Sequence, residues 1–292
     1  MKKRNCIILF VWAAAALSLG SCVKEKEADN PAPNAGGGIP FKLIARSAET
    51  KTVNDGLSTR WVEGDAVNVF HAVAGSSDYV DDGMFTITDV EDGVFSGTLA
   101  SGLDPTQSYD WYVLYPYSGE SSSPEEASVT FPSVQSQTWD GNMAQLGGLP
   151  LAGRATTEAG VSIPCVSMKQ LSAVIQVGIT NGLDTTLPVT EVKFTAPVPI
   201  AGSYTVDLTD PSNPIYRTTP EGGDWQTVTL SASSIETEAG GGSTCYLAVR
   251  PFTAESASTL KMDVNGYEKS VVLESDRAFS AGSIYDFGFH YE

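Results

Sequence analysis

From residue 39 to the end, the chain has no run of eleven or more residues with the apolar spacing of a helix. Short alternating segments broken by Gly, Asp, Asn and Pro recur instead. Successive strand side chains point to opposite faces, so such segments bury one face each and must be layered. An all-β chain is expected. The first half offers strands at 40–45, 57–62, 66–72, 83–88, 94–99, 108–115 and 128–131. The second half offers 161–164, 171–180, 189–195, 202–207, 225–230, 243–249, 259–264, 267–273 and 283–291. Asn54-Asp55-Gly56, Asp92-Gly93 and Val264-Asn265-Gly266-Tyr267 read as tight hairpin turns, because Asn, Asp and Gly tolerate positive φ.

Between Phe131 and Ala155 the pattern loosens into Pro132, Trp139-Asp140-Gly141-Asn142, Gly147-Gly148, Pro150 and Gly153. A long irregular stretch is usually a boundary or a functional loop. The junction is expected near Arg154 to Gly160, dividing the chain into β-sandwich domains at 39–157 and 158–292.

The N-terminus is a different kind of sequence. Lys2, Lys3 and Arg4 precede an apolar run from Cys6 to Leu19, which is short for a bilayer span and has the form of a secretory signal. Leu19-Gly20-Ser21-Cys22 resembles a bacterial lipobox, in which the Cys22 thiol takes a diacylglycerol and residues 1–21 are removed. An ordinary cleaved signal with an accidental Cys is the alternative. Each buried lipid methylene contributes roughly 0.8 kcal/mol, so several acyl chains hold a protein on a membrane. Residues 22–38, charged at first and then rich in Pro and Gly, read as a flexible tether. Their acidic start resembles the export tags of Bacteroidetes lipoproteins, which implies the outer face of the outer membrane.

Removing residues 1–21 takes three of the 17 basic and none of the 35 acidic residues, so the net charge moves from -18 to -21. That balance argues against nucleic acid as a partner. Beyond Cys6 and Cys22 only Cys165 and Cys245 remain, which could pair as a disulfide or stand as two small buried hydrophobes. With His71 and His290 alone, and no CxxC or HExxH spacing, no metal or other cofactor is expected. The acidic pairs Asp81-Asp82, Glu91-Asp92 and Glu125-Glu126 sit in turn-like contexts where carboxylates are usually solvated, and no Gly-x-Ser-x-Gly elbow is present. An enzyme is not expected.

Thr50-Lys51-Thr52-Val53, followed by Arg60-Trp61-Val62-Glu63-Gly64-Asp65-Ala66-Val67-Asn68-Val69-Phe70, resembles the opening of fimbrillin and fimbrillin-like (Mfa-like) lipoproteins of Bacteroidetes. Phe95-Ser96-Gly97, Tyr112 to Tyr117, and Phe279 to Phe287 resemble later blocks of that family in the same order. The resemblance implies two transthyretin-like, Greek-key β-sandwich domains on a surface lipoprotein that is a type V pilus subunit, accessory protein or adhesin. Its partners would be the outer membrane through the lipid anchor, other pilus subunits by strand exchange, and host or microbial surface glycans or proteins. It further implies that an Arg-directed protease removes the first strand and that a neighbour's strand fills the groove.

Arg46, after Phe41-Lys42-Leu43-Ile44-Ala45, is the candidate cleavage residue; alternatively it is only the exposed end of the first strand. Lys42, Lys51 and Arg60 are nearby basic alternatives. The chain stops at Glu292 directly after its closing strand, which favours an anchor, tip or accessory role over a stalk subunit. A glycan-binding surface lipoprotein of a polysaccharide-uptake system is the rival. There Trp139, beside Asp140-Gly141-Asn142, and Trp225, beside Asp224, would stack on sugar rings; as loop tryptophans they would otherwise plug the sandwich ends. Trp61, Tyr112, Tyr115 and Tyr117 read as core.

Overall fold

A computed structural model of the chain describes residues 39–46, 57–58, 60–140, 143–160 and 163–291. The signal segment, Cys22, the tether, Thr50 to Val53 and the Asn54-Asp55-Gly56 turn lie outside the described residues.

The architecture is all-β, as its alternation predicts, and is built in two units. In the first, seven strands close into a barrel in the order β1 (Ile39–Arg46), β11 (Cys165–Gln170), β10 (Leu151–Thr157), β6 (Tyr109–Tyr115), β3 (Ala66–Val73), β4 (Val80–Asp89) and β5 (Val94–Leu99). Closure depends on β1, which runs antiparallel to β5 from Ile39 to Ile44 and parallel to β11 from Ile44 to Arg46.

The second unit is a sandwich. Its larger sheet orders β2 (Leu57–Ser58), β9 (Met143–Leu146), β8 (Val134–Asp140), β16 (Thr227–Thr237), β13 (Leu187–Thr195), β19 (Thr259–Val264) and β20 (Tyr267–Val272). The smaller sheet orders β17 (Gly242–Val249), β12 (Ala173–Asn181) and β22 (Ile284–Tyr291). Phe194 and Leu230 from the larger sheet share one core with Val177 and Leu247 from the smaller. A short pair, β18 (Phe252–Ala254) and β21 (Arg277–Phe279), completes it. The hairpin between β19 and β20 turns at Asn265 (φ 52°) and Gly266 (φ 87°), the positive values that a tight two-residue turn requires.

The units interlock. β7 (Ala127–Phe131), from the first half, pairs with β14 (Gly202–Asp207), which pairs in turn with β15 (Ile215–Tyr216). Val129 and Phe131 share a core with Leu114, Tyr204 and Val206, sealing the join with apolar surface. The junction expected near Arg154 to Gly160 falls on the end of β10 and the residues after it, and β10 pairs with β11 within the barrel. β8 and β9, from the stretch expected to be irregular, belong to the larger sheet of the second unit. The alternation rule misses β8 because its inward positions carry amides. Gln135 accepts from the Ala248 amide at 2.9 Å and donates to its carbonyl at 2.6 Å, and Gln137 accepts from the Tyr246 amide at 2.9 Å. Two side chains thus satisfy the outer edge of β17, where a buried main chain would otherwise lack partners.

On the barrel wall, buried Asp110 accepts from Thr156 Oγ1 at 2.5 Å, the Gly75 amide at 3.0 Å and Arg154 Nη2 at 2.9 Å. Arg154 also reaches the Thr209 carbonyl at 3.3 Å, tying barrel to sandwich. Burial pushes the Asp110 carboxyl upward, but the hydrogen bonds and the guanidinium outweigh it and hold the group below the usual carboxylate range. A depressed folded pKa gives stability that is present above the unfolded value and lost as pH falls through the folded one. Urea midpoints measured from pH 7 downward should therefore fall below about pH 4. Asp110→Asn should be less stable at neutral pH and should lose part of that dependence.

Candidate functional site

The site is the groove that β1 fills. Its burial alternates: Phe41, Leu43 and Ala45 are buried, Lys42 and Arg46 are exposed, and Ile44 between them is half-buried. Phe41 stands opposite Gly97 and stacks on Trp111, with ring centroids 5.0 Å apart and planes at 10°. Gly97 is required there, because a Cβ would come within 2.4 Å of the Phe85 ring. Leu43 stands opposite Phe95.

The last inward residue is held most tightly. The Ala45 amide donates to the Gly93 carbonyl at 2.9 Å, and its carbonyl accepts from Trp61 Nε1 at 2.7 Å. A Cβ on Gly93, whose φ is 66°, would lie 2.5 Å from that same carbonyl oxygen. Trp61 is itself fixed by its neighbours, edge-on to Phe95 at 5.0 Å and to Tyr115 at 5.1 Å. Tyr115 donates to Asp65 Oδ1 at 2.9 Å, and Asp65 Oδ2 accepts from the Val62 amide at 2.8 Å. Gly64, at φ 93°, allows this turn. Burial and the adjacent Asp65 carboxylate both raise the Tyr115 phenol, which stays protonated and donating. The Trp61, Gly64, Asp65 and Tyr115 positions of the sequence motifs thus converge on the end of β1.

At this end of β1 an open hollow of about 500 Å³ is lined by Ala45, Arg46, Arg60, Trp61, Asp92 and Gly93, among others. Lys42 points outward from the middle of β1, while Lys51 lies outside the described residues.

The structure separates the other candidate residues. Cys165 and Cys245 do not form the disulfide considered from sequence. Cys165 stands opposite Ile44 in the barrel, and Cys245 opposite Val177 in the sandwich. Burial pushes the Cys245 thiol up to about 12, leaving it a small hydrophobe at neutral pH. Trp225 packs against the sandwich core, over Gly202 and Gly223, and its indole donates to the Glu221 carbonyl at 3.4 Å. The Trp139 side chain lies outside the described residues; its backbone pairs with Ala144 in the β8–β9 hairpin.

One polar cluster is not predicted from sequence. A bulge in β4 skips Asp82 in the pairing with β3 and turns it inward, where it meets His71 Nδ1 at 2.5 Å and accepts from the Ala100 amide at 2.9 Å. Ser101 Oγ lies 3.5 Å from His71 Nε2, the outer limit of a hydrogen bond. The imidazole is 2% exposed, beside Tyr109 and Trp111, so the group ties three segments together in the barrel wall and offers a substrate no approach to the ring.

No family model matches the chain, and none of the curated proteins does. Solved structures do. A candidate cell adhesion protein from Bacteroides uniformis is 16% identical, with a TM-score of 0.54 over 87% of this chain and 94% of that one. A second candidate cell adhesion protein, from Bacteroides ovatus, is 16% identical, with a TM-score of 0.55 over 88% and 93%. At these identities the likeness establishes a shared fold across nearly the whole of both chains.

Trp61→Phe keeps an aromatic ring at the end of β1 but removes the donor to the Ala45 carbonyl. Leaving a buried acceptor unpaired costs about 1–3 kcal/mol. The urea midpoint should fall accordingly, with faster amide exchange at Ala45 and Arg46 than at Val177 in the sandwich.

Proposed function

We propose that the chain is an exported lipoprotein, anchored to the outer membrane through Cys22, that serves outside the cell as a non-enzymatic adhesion protein or pilus-type subunit. The observation that carries this reading is β1: the first described strand, apolar on one face, closing the barrel between β5 and β11 and ending in an exposed Arg46. Full burial of a large apolar side chain is worth roughly 1.5–3 kcal/mol, so losing Phe41 and Leu43 would leave a strong demand for a replacement. Another subunit's strand would meet that demand with main-chain hydrogen bonds to β5 and β11 and side chains in the vacated pockets. The fold shared with two candidate adhesion proteins supports the same reading.

In a bacterium that lipidates exported proteins, Cys22→Ala should abolish incorporation of labelled palmitate and move the chain from the membrane to the soluble fraction. In vitro, an Arg-specific protease acting on the chain from residue 23 should cut after Arg46, as read by intact mass, and Arg46→Gln should block that cut. Multimers appearing after the cut identify a polymerising subunit. A chain that keeps its membrane attachment without Cys22, or that resists cutting at Arg46, removes the corresponding part of the proposal.

A further inference from the structure

We infer that the groove under β1 is graded by size and accepts an extended segment of another polypeptide only when its inward side chains run aromatic, aliphatic, small, with nothing larger than Ala at the Arg46 end. The inference rests on the reading that β1 is removable, and adds which partner strand can take its place. Three neighbouring subsites set the rule. At the first, Phe41 lies flat on the Trp111 ring, stacked at 5.0 Å, and is buried. At the second, Leu43 is fully buried opposite Phe95, which suits a branched aliphatic group.

The third subsite holds a small side chain in full burial. Ala45 is fully buried, its main chain held between the Gly93 carbonyl and the Trp61 indole. Gly93, in the turn before β5, makes room for that main chain, since a Cβ there would lie 2.5 Å from the Ala45 carbonyl and 3.2 Å from Trp61 Nε1. Trp61 cannot swing aside cheaply, because Phe95 and Tyr115 hold two of its edges and Asp65 holds Tyr115. On the other flank Val166, beside Ala45 in register, is also fully buried. A larger side chain at this place has to displace packed rings and is penalised as overpacking. Of the outward positions, Lys42 and Arg46 are exposed and impose no such limit, while Ile44 is half-buried. Main-chain hydrogen bonding would accept any strand, so discrimination falls to the side-chain subsites.

The test uses the full chain from residue 23 with a specific protease site substituted across residues 48–54, so that the cut does not depend on Arg46. After cutting, the chain is held in mild urea with excess labelled octapeptide Ile-Pro-Phe-Lys-Leu-Ile-Ala-Arg, and replacement of β1 is followed by native mass. Uptake of this peptide is expected. The peptide with Ala45→Phe should be taken up at least about tenfold less, as should the one with Phe41→Ala. The peptide with Lys42→Phe, altered only on the outward face, should match the parent. Equal uptake of the Ala45→Phe peptide would overturn the graded groove while leaving strand replacement standing. No uptake of any peptide, the parent included, would overturn both. A chain that discriminates in this way yet resists an Arg-specific protease at Arg46 would keep the graded groove and remove only the processing step.

Discussion

The barrel depends on burying three alternate side chains of one eight-residue strand. Phe41, Leu43 and Ala45 lie between β5 and β11, and without them those two strands would be edges facing each other across an apolar gap. Exposed strand edges are templates for unwanted pairing, and closing a sheet on itself removes them. The arrangement is asymmetric. β1 matches β5 over six residues but β11 over only three, so the antiparallel partner supplies most of the main-chain hold. The Trp61 indole and the Gly93 carbonyl add theirs at the end where the parallel ladder is short.

Local turn chemistry was legible because one or two residues decide it. Asn265-Gly266 takes the positive φ values its hairpin needs, and Asp92-Gly93 joins β4 and β5 as expected. The strand at 40–45 was legible too, but the consecutive apolar Leu43, Ile44 and Ala45 left its buried face to the structure. What escaped were features set by distant partners. Gln135 and Gln137 look like loop residues until β17 is placed beside them. Asp82 looks solvated until a one-residue bulge turns it toward His71. The Trp61 motif reads as core from sequence, which is true, but its contact with Ala45 crosses sixteen residues of chain and follows from no local pattern.

The two units are not beads on a string. β7 leaves the barrel half to pair with β14, β8 and β9 enter the larger sheet of the sandwich, and the chain returns through β10 and β11 before its final passage. Arg154 links the same surfaces through Asp110 and the Thr209 carbonyl. The groove of β1 is thereby set on a frame that both halves of the sequence build, and barrel strands β10 and β11 do not depend on local contacts alone for their placement.

The course of β1 also has a mechanical meaning. A pull applied at Ile39, the N-terminal end of β1, acts along the axis of that strand. Tension in that direction loads the ladder to β5 as a block, in shear, instead of peeling one hydrogen bond at a time. The strand is by this geometry placed to resist being drawn out along its axis. A protein held at a surface by its N-terminus would keep its barrel shut under flow.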